Sequence, residues 1–594
     1  MLDLLEPHLS VEPAGGGTLL RSTTPLPDPA RCVGDWLIRW AAERPDTTFL
    51  AERDASGDWA RVTYAEALAA VRGIAAALLE LGAEPTRPVM ILSDNSVPAG
   101  LLALAAIHAG VPVSPVSSAY SLRSSTYRRL GQVTEQLRPG FVFADDPARF
   151  ASALAALDLR EVTHLAATAR PGWHGLDDLA QTAPSPASER AFQSIGLDTI
   201  AKVLFTSGST GRPKGVVNTQ RMLTSNQESL AACWPFLDER PPVVVDWLPW
   251  SHTFGGNHNF FLVLRNGGSL FIDRGRPAPA LIGTTIDNLA DVSPTLWFNV
   301  PRGFDQAAPL LEADPEVARA VFRQLDLVFY AAAALSPQTR ARLEAVAEQA
   351  GRPDVFFTSA WGSTETSPLA TSAHFPTRTT GILGVPVPGV DIALIPLQDR
   401  LEIRVRGPNV TPGYWRPGGE VEPAPRDERA FLPTGDAGRL ADPDRPEAGI
   451  VFVGRLGENF KLSSGTWVNV AHVRLGVVDA CAPLVLEAVI TGHDREALGA
   501  LLFPSPAALA LPADDLRERL WTGLDQWNSQ HGGASERIAR ALVLEEPLSM
   551  DAGETTDKGY TNQRGVLEHR AADVARLFDD PVPAPVLDLT HGDW

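Results

Sequence analysis

Short apolar runs alternate along the first part of the chain with longer segments in which apolar residues recur at helical spacing. The sequence Thr63-Tyr64-Ala65-Glu66 has the form of a capping box and predicts the start of a helix. The apolar runs 89–92 and 111–116 predict buried strands, and 98–109 predicts a helix between them. Strands that alternate with helices predict an α/β fold, in which helices cover a parallel sheet.

The same alternation continues further along the chain, with apolar strands predicted at 243–247, 268–273, 325–334 and 355–359. Polar or aromatic residues follow three of these strands, at Trp250-Ser251-His252, Tyr330-Ala331-Ala332 and 361–365. In open parallel sheets, ligands bind beyond the carboxyl ends of the strands. We therefore expect these three segments to line one crevice.

The pattern changes at about residue 385, where short strands are separated by Pro and Gly clusters. This change predicts a small β-barrel over about 385–454, followed by a smaller α+β unit and an extended tail. A chain of 594 residues is also too long for a single core. We expect an N-terminal domain of residues 1–454 and a C-terminal α+β domain of residues 455–594.

One glycine-rich stretch, V-L-F-T-S-G-S-T-G-R-P-K-G-V-V at 203–217, has the residues of a phosphate-binding loop. Its glycines, Gly208, Gly211 and Gly215, let backbone N–H groups approach an anion. Further donors are the hydroxyl groups and the single ammonium group of the stretch: Thr206, Ser207, Ser209, Thr210 and Lys214. A Walker loop would need a Ser or Thr directly after the lysine. The stretch is therefore predicted to contact the terminal phosphates of a nucleotide that other segments hold.

Composition and charge exclude several classes of protein. The net charge of −20 argues against nucleic acid as the main partner, and it fits an enzyme of the cytoplasm. The three cysteines are widely spaced, which excludes a local zinc motif and a disulfide framework. The longest apolar run, 99–109, is too short to span a bilayer, and the first residues lack the pattern of a secretory signal. We expect no membrane partner.

Lysine is rare in this chain, since only four of its 51 basic residues are lysines: Lys202, Lys214, Lys461 and Lys558. Where arginine replaces lysine at most positions, the remaining lysines mark places that need a compact ammonium group. This argument favours functional roles for Lys214, Lys461 and Lys558. Lys202 precedes the phosphate-loop strand and is interpreted as structural.

With these motifs in view, the chain resembles the acyl-adenylate-forming superfamily over about residues 35–575. The phosphate loop T-S-G-S-T-G-R-P-K-G, the S-T-E-T of 363–366, the T-G-D of 434–436 and the G-R of 454–455 occur in that family's order. Four longer motifs resemble the feruloyl-CoA synthase branch: D-W-L-P-W-S-H-T-F-G-G-N-H-N-F, R-G-P-N-V-T-P-G-Y-W, F-K-L-S-S-G-T-W-V and T-D-K-G-Y-T-N-Q-R.

The resemblance implies a ligase that works in two half-reactions. A carboxylate attacks the α-phosphate of ATP and releases pyrophosphate, and a thiol then attacks the acyl-adenylate and releases AMP. The implied co-substrates and cofactors are ATP, Mg²⁺ and coenzyme A. The implied acid is a hydroxycinnamate or a related aromatic acid. In the family, the C-terminal domain acts as a mobile lid that rotates between the half-reactions.

The resemblance also implies roles for individual residues. Lys214 and the loop residues 206–211 would hold the β- and γ-phosphates. Thr364 would donate to the α-phosphate, and Ser363 would contact the nucleotide. Glu365, with Thr206, would bind Mg²⁺. Asp436 would accept from the ribose hydroxyls, assisted by Arg455.

The motif around Lys558 differs from that of the family. The family has Pro-Lys-Thr-x-x-Gly-Lys, and this chain has Thr556-Asp557-Lys558-Gly559. No other lysine follows Lys461, so Lys558 is assigned as the cation between the carboxylate and the α-phosphate. Gly457 would lie at the hinge, and Lys461 would serve the thioester half-reaction.

The acyl pocket implied by the resemblance is lined by His252, Phe254, Tyr330, Ala332, Trp361 and Gly362. His252, a catalytic candidate, could also be a core residue, but its place after the W-L-P-W strand favours a pocket wall or gate. For Tyr330 and Trp361, core packing and pocket lining both remain open.

An alternative function keeps the adenylate and changes the nucleophile to a carrier protein, an amine or nitrite. A nucleotide-binding relative with an inactive site is a third possibility, against which the intact Lys214, Glu365, Asp436, Arg455 and Lys558 argue. Both a monomer and a homodimer are compatible with the sequence.

Overall fold

The computed structural model describes residues 2–207, 212–379, 381–556 and 561–590. The chain divides into two compact units. The larger unit takes in the chain up to Leu122, Tyr127–Thr434 and Arg439–Val451. The smaller unit takes in Arg123–Thr126, Gly435–Gly438 and the chain from Phe452 onward. The domain boundary at 454/455 stays a prediction.

The elements before residue 200 are mostly short strands separated by helices. In chain order they are β1 (Leu9–Ala14), β2 (Gly17–Ser22), α1 (Val33–Glu43), β3 (Thr48–Arg53), β4 (Trp59–Thr63), α2 (Tyr64–Glu80), β5 (Val89–Leu92), α3 (Val97–His108), β6 (Val113–Val116), α4 (Ala119–Leu122), α5 (Arg128–Leu137), β7 (Phe141–Ala144), α6 (Ala151–Ala155), β8 (Thr163–Ala166), β9 (His174–Gly175), α7 (Leu176–Leu179) and α8 (Pro186–Gln193).

The middle of the chain carries the strands whose ends matter for function. In chain order its elements are β10 (Ile200–Ser207), β11 (Pro213–Thr219), α9 (Gln220–Cys233), α10 (Phe236–Glu239), β12 (Val243–Asp246), a π-helix (Phe254–Asn259), α11 (Phe260–Arg265), β13 (Ser269–Ile272), α12 (Ile282–Val292), β14 (Leu296–Asn299), α13 (Pro301–Ala313), α14 (Pro315–Phe322), β15 (Leu327–Tyr330), α15 (Pro337–Gln349), β16 (Phe356–Gly362), a 3₁₀ turn (Thr364–Thr366) and β17 (Leu369–Ser372).

Strands dominate the next part of the chain, and the smaller unit again mixes strands with helices. These elements are β18 (Ile382–Pro386), β19 (Asp391–Leu397), β20 (Arg400–Arg406), β21 (Gly413–Trp415), β22 (Val421–Pro423), β23 (Leu432–Leu440), a 3₁₀ turn (Pro446–Ala448), β24 (Ile450–Arg455), β25 (Phe460–Lys461), β26 (Trp467–Val468), α16 (Val470–Ala480), β27 (Val485–Thr491), β28 (Leu498–Pro504), α17 (Pro506–Leu509), α18 (Ala513–Gln530), β29 (Ile538–Val543), α19 (Gln563–His569), α20 (Ala571–Leu577) and β30 (Val586–Asp588).

Two sheets organise the larger unit. The longer one has the order β1-β2-β19-β20-β23-β24-β18-β17-β16-β15-β14-β12-β13-β3-β4, and the other has the order β22-β21-β11-β10-β6-β5-β7-β8-β9. The run β16-β15-β14-β12-β13-β3 is parallel throughout, as is β10-β6-β5-β7-β8-β9. The α/β class predicted from the alternation of strands and helices is confirmed.

Local signals predicted the elements well. Thr63 caps α2 as expected, because its side chain accepts from the Glu66 N–H while the Glu66 carboxylate accepts from the Thr63 N–H. The predicted strand at 355–359 continues further than expected, since Trp361 pairs with Thr371 of β17. Closure of the strands of 385–454 into a β-barrel stays a prediction.

The smaller unit is built on the sheet β27-β28-β29-β30. Alternate residues of this sheet pack on opposite faces: Ile490 and Leu502 lie in one cluster with α16 and α18, whereas Val489 and Leu501 lie in another with α19 and α20. Helices therefore cover both faces of this sheet. Across the described ranges of the whole chain, we find no helix with the length and apolar character needed to cross a membrane.

Candidate active site

The carboxyl ends of β12, β14, β15 and β16 lie along one edge of the long sheet, because these four strands are parallel neighbours. We call this the carboxyl edge. The chain after β12 continues to Trp250, Tyr330 is the last residue of β15, and Trp361 lies at the end of β16. The topology thus brings the three strand ends of the predicted crevice to the same side of the larger unit.

The phosphate-loop stretch forms an antiparallel hairpin of β10 and β11. Thr206 lies directly opposite Lys214 in the strand register, and both side chains are half-buried. The predicted contacts Gly208, Ser209, Thr210 and Gly211 and the side chain of Ser207 lie outside the described residues.

Lys214 and Glu365 both lie near Tyr414. The Lys214 ammonium is 5.4 Å from the centre of the Tyr414 ring, and Tyr414 pairs with Val216 across β11 and β21. Burial raises the pKa of the Tyr414 hydroxyl, and the negative charge of Glu365 raises it further. The larger unit therefore holds a cation, a carboxylate and a phenol in one neighbourhood beside the hairpin.

Buried amide side chains hold the turn that carries Ser363, Thr364 and Glu365. Asn409 donates from Nδ2 to the carbonyls of Thr366 (2.9 Å) and Leu369 (2.8 Å). Thr411 donates its backbone N–H to the carbonyl of Glu365 at 2.8 Å. The side chains of 363–365 remain half-buried, so the turn is fixed through its backbone while those side chains face a partly open region.

Gly362 allows this turn to fold back on itself. A Cβ at this position would lie 1.6 Å from the carbonyl oxygen of Pro368. Only glycine tolerates such a close approach of backbone to backbone. The role of Gly362 in the described structure is therefore to shape the turn.

A group of aromatic side chains lies beside the carboxyl edge. Phe254 opens the π-helix after β12, and its ring centre is 5.6 Å from that of Phe329 and 6.4 Å from that of Phe298. His258 lies one turn further and stacks on Phe329 at 5.0 Å, with Trp234 edge-on at 6.3 Å. We call these five residues, Trp234, Phe254, His258, Phe298 and Phe329, the aromatic box.

The other predicted pocket residues are distributed around the edge. His252 is half-buried and its carbonyl accepts from the Gly256 N–H at 2.7 Å, which ties it to the π-helix. Trp361 is half-buried at the end of β16. Ala332 is exposed and adopts a left-handed backbone with φ of 73°, a strained conformation typical of functional loops.

Tyr330 does not join the aromatic box. It packs in the core cluster with Trp297, Val328 and Phe357, whereas its neighbour Phe329 reaches the box. Consecutive side chains of a strand point to opposite faces of the sheet, so only one of the two can line the box. The inclusion of Tyr330 in the acyl pocket stays a prediction.

Lys202 is a buried structural residue, as interpreted from the sequence. Its ammonium donates to the carbonyl of Gly256 at 3.0 Å and lies 5.3 Å from the centre of the Phe261 ring. Burial lowers the pKa of this lysine to about 7. Lys202 thereby ties the phosphate-loop strand to the π-helix that carries Phe254 and His258.

A second buried chain of hydrogen bonds ends in the box. Asn259 donates from Nδ2 to Asp246 Oδ2 at 2.8 Å, and His258 Nδ1 lies 2.9 Å from Asn259 Oδ1. Burial raises the pKa of Asp246 to about 7 and lowers that of His258 to about 4. The His258 ring is therefore neutral at neutral pH.

In the smaller unit, Asp436 and Arg455 come together as predicted. Arg455 Nε lies 3.6 Å from Asp436 Oδ1. The Arg455 side chain is largely exposed, while that of Asp436 is mostly buried. The Leu456 N–H also donates to the carbonyl of Gly435 at 2.8 Å, so the two segments are fixed to one another.

The predicted hinge residue Gly457 and the predicted thioester residue Lys461 come shortly after Arg455 in the sequence. Gly457 is exposed, and a Cβ built there meets no atom within 4 Å. Lys461 is exposed on the β25–β26 hairpin, opposite Trp467, whose ring centre is 4.8 Å from its ammonium.

Lys558 lies outside the described residues, but the chain on either side of it is firmly held. Thr555 and Thr561 form an isolated antiparallel bridge. The carboxylate of Glu554 is fully buried and accepts from Arg570 Nε at 2.6 Å and from the Ser549 N–H at 2.7 Å. The described residues on either side of Lys558 are therefore held by this bridge and by Arg570, which lies between α19 and α20.

Sequence reasoning missed several residues of this region: Trp234, His258, Phe298, Phe329, Asn409, Thr411 and Tyr414. Signals existed for some of them. Tyr414, Asn409 and Thr411 lie in the motif R-G-P-N-V-T-P-G-Y-W, and His258 lies in the N-H-N of another. The two phenylalanines lie within apolar runs that carry no distinguishing signal.

The chain is similar to several known proteins over most of its length. The long-chain-fatty-acid–CoA ligase FadD15 of Mycobacterium bovis is 25% identical, over 90% of this chain and 96% of that protein. ATP-bound MatB from Rhodopseudomonas palustris is 24% identical and has a TM-score of 0.69, over 91% of this chain and 99% of MatB. The adenylation domain of a carboxylate reductase from Mycobacterium chelonae is 20% identical with a TM-score of 0.73, over 93% and 92% of the two chains. The two structures show the same fold.

Two family profiles match the chain. That of the AMP-binding enzyme family matches residues 37–415, and that of the AMP-binding enzyme C-terminal domain matches residues 460–581. The first match alone covers more than half of the chain. The chain therefore belongs to the AMP-binding enzyme family, which confirms the superfamily predicted from its motifs and the class of ATP-dependent acid–thiol ligase.

Proposed function

We propose that the protein is an ATP-dependent carboxylic acid–CoA ligase for a hydroxycinnamate-like aromatic acid. The reaction passes through an acyl-adenylate, with release of pyrophosphate and then of AMP. The observation that carries this proposal is the aromatic box at the carboxyl edge, whose five members include no carboxylate that could bind an amino group. Flat aromatic walls suit a planar phenylpropenoate.

The larger unit supplies the groups for adenylation. Lys214 and the loop residues 206–211 hold the β- and γ-phosphates, Thr364 donates to the α-phosphate, and Ser363 contacts the nucleotide. This assignment is supported by the position of Lys214 beside the turn that carries Glu365, since both lie near Tyr414. His252 and Trp361 border the acid, and Ala332 and Gly362 leave room beside it.

The residues present fit Mg²⁺. This ion prefers oxygen ligands, uses one or two carboxylates and takes its remaining ligands from phosphates and water. Glu365 is a half-buried carboxylate beside the predicted phosphate site, and Thr206 offers a hydroxyl on the facing strand. Glu365 and Thr206 would hold the ion, whose charge would neutralise the phosphates.

The smaller unit supplies the remaining groups. Asp436 accepts hydrogen bonds from the ribose hydroxyls and Arg455 assists it, which their 3.6 Å contact supports. Lys558 neutralises charge between the carboxylate and the α-phosphate, where a compact ammonium fits better than a guanidinium. Lys461 replaces it in the thioester half-reaction after rotation about Gly457.

A panel of acids tests the proposal. Ferulate, 4-coumarate, benzoate and octanoate would each be supplied with ATP, Mg²⁺ and CoA, with pyrophosphate and thioester measured separately. We expect both products with ferulate and 4-coumarate. Turnover with octanoate alone would refute the aromatic substrate, while pyrophosphate release without a thioester would favour the alternative nucleophile, namely a carrier protein, an amine or nitrite.

A further inference from the structure

His258 is the titratable side chain of the aromatic box. Its side chain is 1% exposed, and its ring is bordered by Phe329 at 5.0 Å, Phe298 at 5.5 Å and Phe254 at 5.8 Å. Phe254 is only partly buried, whereas the other members of the box are fully buried. Phe254 is therefore the member of the box with the most accessible ring.

The hydrogen-bond chain behind His258 fixes its tautomer. Asp246 accepts from the Leu248 N–H on Oδ1 and from Asn259 Nδ2 on Oδ2. Since the amide nitrogen of Asn259 faces this carboxylate, its Oδ1 faces His258 and acts as an acceptor. Nδ1 of His258 therefore carries the proton, and Nε2 presents a lone pair.

This lone pair has no partner. Among the described residues, no donor lies within hydrogen-bond reach of His258 Nε2, nor any acceptor within reach of Trp234 Nε1. Buried polar atoms are nearly always paired, because an unsatisfied one costs free energy. The box thus contains a buried acceptor without a partner, and a hydroxyl group can satisfy it.

We propose that His258 is a specificity-determining residue, whose Nε2 accepts a hydrogen bond from a hydroxyl group at the distal end of the aromatic acid. This inference rests on the proposed function, since it assumes that the acid lies in the aromatic box. It adds a chemical requirement: the distal substituent must be a hydrogen-bond donor. Asp246 and Asn259 act through His258 as positioning residues.

The requirement distinguishes three otherwise similar acids. A 4-hydroxycinnamate can donate to Nε2, a 4-methoxycinnamate can only accept, and cinnamate can do neither. In the latter two complexes the buried Nε2 remains unsatisfied. We expect kcat/KM for 4-hydroxycinnamate to exceed that for the other two by about tenfold to a hundredfold.

The variant His258→Phe removes the acceptor and keeps an aromatic ring. We expect the ratio of kcat/KM for 4-hydroxycinnamate over cinnamate to fall to about one. His108→Phe is the matched control, because His108 is also a buried histidine with an unpartnered Nδ1 among the described residues, stacked on Phe192 at 4.0 Å. We expect the ratio for this control to equal that of the unaltered enzyme.

An unchanged ratio in a folded His258→Phe enzyme would overturn the inference and leave the proposed function standing. Should the variant not fold, the series of three acids on the unaltered enzyme decides: a rate with 4-methoxycinnamate equal to or above that with 4-hydroxycinnamate would overturn it. Absence of thioester from all three acids, with turnover of octanoate, would instead refute the proposed function.

Discussion

The four lysines of this arginine-rich chain lie in four different surroundings. Lys202 is enclosed by protein, Lys214 lies beside an aromatic ring, Lys461 is exposed, and Lys558 belongs to a short segment with anchored ends. In each of these surroundings, the compact ammonium of lysine interacts differently from the planar guanidinium of arginine. The clearest consequence concerns Lys558.

Lys558→Ala is expected to abolish adenylation selectively. Loss of the cation that stabilises the developing charge should slow ATP- and acid-dependent pyrophosphate release by about 100- to 1,000-fold. Thioester formation from supplied acyl-adenylate should be largely retained, because that step does not use this charge. Separate assays of the two half-reactions measure both effects.

Lys558→Arg and Lys461→Ala complete this test. The arginine variant should restore little adenylation, because its guanidinium is too wide for the space between two anions. Lys461→Ala should show the reverse pattern, with the thioester step impaired. Normal adenylation by Lys558→Ala would disprove the assigned role.

Lys202 makes stability depend on pH in the alkaline range. The pKa of Lys202 is about 7 in the folded protein and about 10.5 in the unfolded chain. Between these values the unfolded chain binds one more proton than the folded protein, so raising the pH favours the folded state. Between pH 7 and 9.5 this group should add about 3 kcal/mol to the free energy of unfolding. Lys202→Met should remove that contribution.

Urea unfolding of the two proteins at pH 7 and 9.5, followed by tryptophan fluorescence, measures the difference. The midpoint of the unaltered protein should rise more with pH than that of Lys202→Met. Lys461→Met is the control, since its side chain is exposed. Equal pH dependence in all three proteins would argue against a depressed pKa for Lys202.

At the scale of elements, the end of β16 is the most constrained part of the site. Gly362→Ala would drive a Cβ into the Pro368 carbonyl, and the only relief is a shift of the turn that carries Thr364 and Glu365. We expect a destabilisation of about 1–3 kcal/mol. We also expect a loss of kcat/KM of about tenfold or more, because small displacements of positioned groups are costly.

Gly283→Ala provides the matched control for that substitution. Gly283 lies in α12, and a Cβ there meets no atom within 4 Å. Alanine should raise the melting temperature slightly through its higher helix propensity and leave kcat/KM unchanged. If Gly362→Ala behaved like this control, the close approach would have no functional meaning.

The elements that the sequence predicted correctly are those with local signals. The capping box of α2 needs only Thr63 and Glu66, which are three residues apart. The continuation of β16 through Gly362 depends instead on pairing with β17. The sequence of β16 contains no signal of its later partner strand β17, so the extension of β16 to Gly362 could not be predicted.

The same limit explains which residues of the candidate site could be predicted from the sequence. Motifs located the phosphate hairpin, the turn at 363–366 and the Asp436–Arg455 pair, because their glycines, hydroxyls and charges occur at short, fixed spacings along the sequence. They could not choose between Phe329 and Tyr330, since both end the same apolar run. Which of the two faces the box depends on how the whole sheet is twisted and covered.

At the scale of the molecule, the proposed chemistry needs two arrangements of the same chain. Lys558 serves one half-reaction and Lys461 the other, and the resemblance places the hinge near Gly457. Gly457→Pro should restrict the backbone there and slow thioester formation by about tenfold, with adenylation little changed. Rapid-quench measurement of the two half-reactions distinguishes these effects.

Gly457→Ala is the control for the hinge variant. The position is exposed, lacks a left-handed φ and has open space around a built Cβ, so alanine should be accommodated. Both half-reactions should run at normal rates. Equal slowing of both half-reactions by Gly457→Pro would point to general damage and contradict a hinge.

The smaller unit is assembled from three separate stretches of sequence, and this has a consequence for recombining the gene. A crossover at residue 452 would transfer most of the unit to a new host and leave Gly435–Gly438 behind. Asp436 would then come from one parent and Arg455 from the other. In chimeras that exchange the smaller unit, the crossover should therefore lie before Gly435, so that Asp436 and Arg455 come from the same parent.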